Sequence, residues 1–194
     1  MKFTVTDPQV EPFAAVPMLR FTLGVEDALP IHTIALRCQI LLDTRRRSYT
    51  PAETERLVHM FGEAPRWAST LQRLLWTHID MMVPGFDTAT QVPLRVPCTY
   101  DLEVSTARYF EALDQGEVPV LFQFSGTIFR NTQPGFHVER VGWDLEAECR
   151  VPVATWREVI DRYYPGTAFV RLRRDTLARL LACQQKHGLT SLDE

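Results

Sequence analysis

Cys98 follows Pro97 and stands three residues before Asp101, so with a distant histidine as base it could serve as a nucleophile. A loop cysteine packing beside Tyr100 is the simpler account of the same residues. The five histidines, His32, His59, His78, His137 and His187, form no HxH or HExxH pattern, so a metal site would need them to converge from distant parts of the chain. His78 and Asp80 share a face if their segment is extended, but two ligands do not hold a catalytic metal. Ser125-Gly126 is preceded by Gln123 and Phe124 and falls inside an expected strand, not on the strand-to-helix elbow that a GxSxG hydrolase requires. The nine glycines are scattered and build no phosphate-binding loop. Asp144, Glu146 and Glu148 form an acidic row that could supply an acid/base pair, although hydrated strand residues usually look the same. On this basis no catalytic, cofactor-binding or metal-ligating residue is assigned, and the chain reads as a non-enzyme.

A second group of residues suggests contact with a macromolecule. Phe61, Trp67, Trp76, Phe86, Tyr100, Tyr109 and Phe110 all lie in the middle of the chain, beside Met60, Met81 and Met82. Some must pack this stretch onto the rest of the fold. Any left exposed beside the methionines would make an adaptable apolar surface, suited to a protein partner more than to a small substrate. The candidate partner-binding residues are therefore Phe61, Trp67, Trp76, Met81, Met82 and Phe86. The short basic run Arg45, Arg46 and Arg47 is either a solvated loop cluster or a polar rim to that surface.

The elements that must position these residues are legible from periodicity. Leu19, Phe21, Leu23 and Val25 alternate with polar residues at a strand period, as do Ile34, Leu36, Cys38, Ile40 and Leu42. Phe122, Phe124 and Ile128 repeat the pattern, and Trp143, Leu145, Ala147 and Cys149 repeat it again. Strands are expected near 2–6, 17–26, 32–43 and 118–129, and from 136 to 151 with a bulge where parity slips between Val138 and Val141. These read as one antiparallel sheet with a buried face and a hydrated face. Thr50-Pro51-Ala52-Glu53 is a helix start with a capping box, and Gly62 is its stop. From Pro65 to Trp76 the pattern is ambiguous: Trp67, Leu71, Leu74 and Leu75 fit a helix, whereas Trp76, His78 and Asp80 fit an extended stretch through Val83. Gln91 to Cys98, broken by Pro93 and Pro97, suits an edge strand or a loop. Leu102, Thr106, Tyr109, Phe110 and Leu113 share a helical stripe, and two more helices are expected at 153–164 and 175–187. The fold class is α+β, a single domain over 1–194, with 44–117 as a large mixed insertion.

Composition narrows the partners. With 45% apolar residues in 194, the chain can build a core without disulfides or a structural metal. A net charge of -3 argues against nucleic-acid binding, which needs clustered positive charge. Cys38, Cys98, Cys149 and Cys183 are far apart and form no CxxC pair, so reduced thiols are expected. The first residues lack the apolar core of a signal peptide, and no run approaches the ~20 apolar residues of a membrane span. A cytoplasmic protein without membrane insertion is the expectation.

The element order is similar to that of the SecB export chaperone, carried by Phe3-Thr4-Val5, Leu19 to Val25, Ile34 to Leu42, the run from Val120 to Phe129, and Val151-Pro152 through Trp156-Arg157-Glu158 to Leu177-Ala178-Arg179-Leu180. This resemblance implies a small antiparallel sheet with C-terminal helices and a homo-oligomer. Residues 44–117 have no counterpart there and would block or replace its interfaces. At closer range, Arg45-Arg46-Arg47-Ser48-Tyr49, Phe61-Gly62-Glu63, Arg66-Trp67, Leu74-Leu75-Trp76-Thr77-His78, Pro97-Cys98-Thr99-Tyr100-Asp101 and Phe124-Ser125-Gly126-Thr127 resemble a bacterial family of no established function. Genes of that family often lie in nickel-iron hydrogenase clusters. The resemblance implies a chaperone-like accessory factor that holds a protein client, such as a hydrogenase subunit, with strand addition at a sheet edge as one mode of capture. A structural adaptor subunit and a small-molecule enzyme are the alternatives.

Overall fold

The computed structural model describes residues 1–98, 104–132, 135–166 and 172–192. The chain divides into two compact units, Met1–Tyr163 and Tyr164–Glu194. In chain order the first unit contains β1 (Lys2–Val10), β2 (Met18–Glu26), β3 (Ile31–Leu42), α1 (Pro51–Phe61), α2 (Trp67–Thr70), β4 (Leu74–Phe86), β5 (Ala89–Pro97), α3 (Val104–Glu111), β6 (Glu117–Asn131), β7 (Phe136–Arg140), β8 (Glu146–Pro152) and α4 (Val153–Tyr163). The second holds α5 (Arg174–His187).

The α+β class stands, but the strands form two antiparallel sheets where one was expected. One sheet has three strands in the order β1-β2-β5; the other has five, in the order β4-β3-β6-β7 with β8 also paired to β6. β7 and β8 divide one side of β6 between them, β7 against Thr127 to Asn131 and β8 against Glu117 to Gln123. The two sheets face each other across a shared core. Phe3 of β1 stacks on Phe124 of β6 with ring centroids 4.2 Å apart, and Phe21 of β2 meets Phe122 of β6 edge-on at 5.2 Å. The alternating rows read from sequence in β2 and β3 are inner faces, with Leu19, Phe21, Leu23, Val25, Ile34, Cys38 and Ile40 buried. Alternation shows that a strand has one dry face; it does not show which sheet the strand joins.

The connection between β2 and β3 crosses from one sheet to the other and is tied down by Arg130 of β6. Its guanidinium donates to the Leu29 carbonyl at 2.9 Å and pairs with Asp27 at 3.1 Å, and it also pairs with Glu139 of β7.

The segment 44–117 contributes one strand to each sheet. β4 pairs with β3 from Ile31↔Phe86 to Leu42↔Leu74, and β5 pairs with β2 from Met18↔Pro97 to Glu26↔Ala89. β5 is an edge strand, which is where Pro93 and Pro97 can be accommodated. The ambiguous stretch after Pro65 resolves into the short α2 and then β4. The expected bulge between Val138 and Val141 is instead a break between two strands, with residues 141–145 turning from β7 to β8. α1 begins as the sequence predicts: the Thr50 side chain accepts from the Glu53 amide at 3.2 Å while Glu53 Oε2 accepts from the Thr50 amide at 2.9 Å.

In the second unit, α5 ends at Gly188, whose positive φ of 65° closes the helix in the left-handed conformation. Leu177, Leu180 and Leu181 are partly exposed. Among the described residues no helix is long and apolar enough to cross a membrane.

Candidate interaction surface

Three of the six expected surface hydrophobics belong to the core. Phe61, Trp67 and Trp76 are buried, so they present no surface to a partner. Phe61 and Trp67 pack edge-on at 6.0 Å, and Trp67 meets Tyr49 at 5.3 Å. The Trp67 indole Nε1 donates to the Gly62 carbonyl at 2.7 Å, which fixes the ring beneath the end of α1. Trp76 is the extra residue where the β3–β4 register shifts between Ile40 and Leu41. A bulge of this kind re-aims a side chain, and Trp76 turns onto Phe110 and Trp156, each 6.0 Å away. These aromatics seat the helices on the sandwich.

The arginine run is engaged in intramolecular ion pairs, with the Arg45 and Arg46 side chains half exposed and that of Arg47 buried. Arg45 pairs with Asp43 at 3.4 Å, and Arg46 pairs with Glu148 of β8. Arg47 pairs with Glu53 at 2.6 Å and donates to the carbonyls of Gln115 and Glu117 at 2.7 and 3.0 Å. Arg73 reaches Asp43 as well, at 2.9 Å. Burial alone would raise the Asp43 carboxyl, but hydrogen bonds and charge from Arg73 and Arg45 outweigh it and hold the group below its usual range. Glu53 is shifted the same way: the amides of Thr50 and Asp114 and the Arg47 guanidinium overcome the effect of burial.

Met81, Met82 and Phe86 lie on β4, the outermost strand of the larger sheet. Met82 is 61% exposed, while Met81 and Phe86 are half-buried against the core. Met81 and Met82 line a depression with Ala35, Leu36, Arg37 and Asp80. Across it, Asp80 accepts from Arg37 Nε at 2.7 Å and Nη2 at 2.9 Å.

Two aromatics outside the expected set stand almost fully in solvent: Phe13 at 96% and Trp143 at 94%. Phe13 sits in the β1–β2 connection, between Pro12 and Pro17. Trp143 was expected on the dry face of a strand, and its exposure is a correction; Ala147 of the same row is buried as expected. The flanking Gly142 and Asp144 are the local signal that this is a turn. That turn is clamped to β6 on both sides. The Val141 amide donates to the Gly126 carbonyl at 3.1 Å, the Phe124 amide to the Leu145 carbonyl at 3.0 Å, and the Leu145 amide closes the turn on Gly142 at 3.3 Å. Trp143 is thus held outward by ordered backbone.

A family model matches the chain over residues 1–194. The chain belongs to DUF6084, a family of unknown function. No curated protein matches it.

The residues of this DUF6084 chain with chemical potential are placed as follows. Cys98 is buried, its amide donating to the Pro17 carbonyl at 2.7 Å and its thiol to the Val96 carbonyl at 3.5 Å. Its expected neighbours Tyr100 and Asp101, like Leu102 of the expected helical stripe, lie outside the described residues. Ser125 and Gly126 are in the middle of β6, paired with Arg37 and Leu36. A Cβ on Gly126 would come within 2.1 Å of the Ala35 carbonyl oxygen, so glycine there serves the close approach of β3. His78 and Asp80 do share a face of β4, with Asp80 committed to Arg37. Among the described residues no three His, Cys, Asp or Glu side chains converge to hold a metal ion.

Proposed function

We propose that this DUF6084 protein is a noncatalytic, chaperone-like accessory factor of the cytoplasm that docks a protein client through the β7–β8 turn. The observation that carries this is Trp143, a large apolar side chain presented at 94% exposure on a hydrogen-bonded turn. Tryptophan anchors contribute heavily when buried in a partner's pocket, and a rigid turn has already lost the freedom that binding would otherwise remove. Met82 on β4 is a second exposed apolar contact for the client. The client we favour is a nickel-iron hydrogenase subunit held before assembly, supported by the likeness of segments such as Arg66-Trp67 and Leu74 to His78 to a family whose genes often lie beside hydrogenase genes.

A tagged protein recovered from its native host after induction of hydrogenase expression should enrich the hydrogenase precursor. Trp143→Ala should lower the affinity roughly 30-fold or more, equivalent to about 2 kcal/mol for one anchor, with an unchanged melting temperature. Failure of the wild-type protein to enrich the precursor would remove the hydrogenase assignment. Retention by the Trp143→Ala variant would remove the docking site, and a fixed-stoichiometry complex with another protein would favour a structural adaptor.

A further inference from the structure

Among the described residues, the sheet edges of this protein are guarded except along the middle of β4. β1 carries Pro8, a register break between Thr6 and Gln9, and Asp7 with a positive φ of 54°. β5 carries Pro93 and Pro97, and β7 is only five residues long. β8 presents Glu146, Glu148 and Arg150 and ends at Pro152. Such features discourage pairing with another chain. β4 has a bulge at Trp76 and a proline at Pro84, but Thr77 to Val83 between them contains neither proline nor glycine and pairs in unbroken register with β3. Its inward side chains are also incompletely covered. Ile79 and Met81 are only partly buried, whereas the β3 residues beside them, Cys38 and Leu36, are buried. The core therefore thins toward a strand with one free side.

We propose that β4 pairs with β4 of a second copy of this chain, antiparallel about Ile79, joining two five-stranded sheets into one. The polar side chains select both the occupant and the register. Centred on Ile79, the pairing sets His78 opposite Asp80 of the second copy twice over, by symmetry, and Thr77 opposite Met81. Sliding by two residues in either direction sets Asp80 against Asp80 or His78 against His78, and sliding by one turns the apolar rows outward. Arg37 already holds Asp80 at 2.7 and 2.9 Å, so the carboxylate is fixed in place for a second donor. On the inner face Ile79 meets its own copy and covers the partly buried apolar row. A self-complementary patch of this kind produces a closed two-fold dimer. The Trp76 bulge and Pro84 limit the pairing to the segment between them.

The test is the mass of the full chain by sedimentation over a range of concentrations, followed by a register-specific cross-link. A reversible dimer is expected, and His78→Asp should raise its dissociation constant about tenfold, because two acid–acid contacts replace two complementary ones. In a Cys183→Ser background, chains carrying His78→Cys mixed with chains carrying Asp80→Cys should form a disulfide-linked dimer under oxidation, and neither should do so alone. A monomer at every concentration overturns the proposal, as does a dimer in which the mixed cysteines remain unlinked. Protection of β4 amides only when a client segment is added would also overturn it, giving the edge to strand addition instead. None of these measurements involves Trp143, so their outcome is separate from that of the client-capture experiment.

Discussion

Glu53 and Arg47 form an ion pair almost wholly removed from water, 2.6 Å between Oε1 and Nη2 with side chains 2% and 7% exposed. The same carboxylate accepts from the Thr50 amide that opens α1 and from the Asp114 amide that follows α3, each at 2.9 Å. One side chain therefore joins a helix start, a basic run and a distant loop. Removing it with Glu53→Ala strands a buried guanidinium and two amides, and we expect a loss of about 3–5 kcal/mol, the range for breaking one partner of a buried pair. Urea unfolding measures this, and a loss under about 1 kcal/mol would contradict the role.

The stability of the protein should fall in acid. Glu53, Asp43 and Asp27 all titrate below the usual carboxylate range when folded. In each case burial acts upward and is outweighed by hydrogen bonds and nearby positive charge, from Arg130 among others at Asp27. The unfolded chain thus binds protons first, so this stabilisation is complete above a pH of about 4–5 and is lost as the pH falls toward the lower folded values. The urea midpoint measured from neutral pH to pH 3 should decline, and more gently in Glu53→Gln.

Trp76 should behave as a core residue. Its ring lies against Phe110 and Trp156, which themselves stack 4.5 Å apart. Trp76→Ala should destabilise the fold by about 3–5 kcal/mol through lost burial and the cavity left behind. An unchanged melting temperature would return Trp76 to the surface.

The thiols should separate by reactivity. Cys38 and Cys98 are buried, Cys149 is partly exposed and Cys183 is exposed. Burial pushes Cys38 up to about 12, and it raises Cys149 as well. At neutral pH a thiol reagent should modify Cys183 fastest, with Cys38 and Cys98 reacting only on unfolding. Rapid modification of Cys38 in the native protein would show that the sandwich opens.

The local parts of this fold were readable from sequence, and the parts that depend on distant partners were not. The start of α1 was legible because Thr50, Pro51 and Glu53 satisfy one another within a single turn. Proline confined Gln91 to Cys98 to an edge or a loop by the same kind of local chemistry. The second sheet was hidden because Phe21 and Phe122 alternate in the same way whether they share a sheet or face each other. The pairing of β4 with β3 and of β5 with β2 made 44–117 look inserted, since the partners that define those strands lie far away. At the interaction surface, the aromatic residues of the middle segment were visible but their burial was not. Phe61, Trp67 and Trp76 go inward because a glycine stop and a bulge aim them there, whereas Trp143 goes outward because its strand stops short.

The pairing order also constrains how a growing chain can fold. β2 finds its partner β5 only after roughly 60–80 further residues, and β3 waits for β6 over roughly 80–95. β2 can pair with β1 through a local hairpin, but β3, at the centre of the larger sheet, has only distant partners, so formation should be slow relative to a helical protein of this length. While the ribosome is still making the segment after Leu42, β2 has β1 beside it but lacks β5, and β3 lacks both of its neighbours, β4 and β6. The nascent protein therefore passes through a stage in which β3 is an unpaired strand, open to association with other chains.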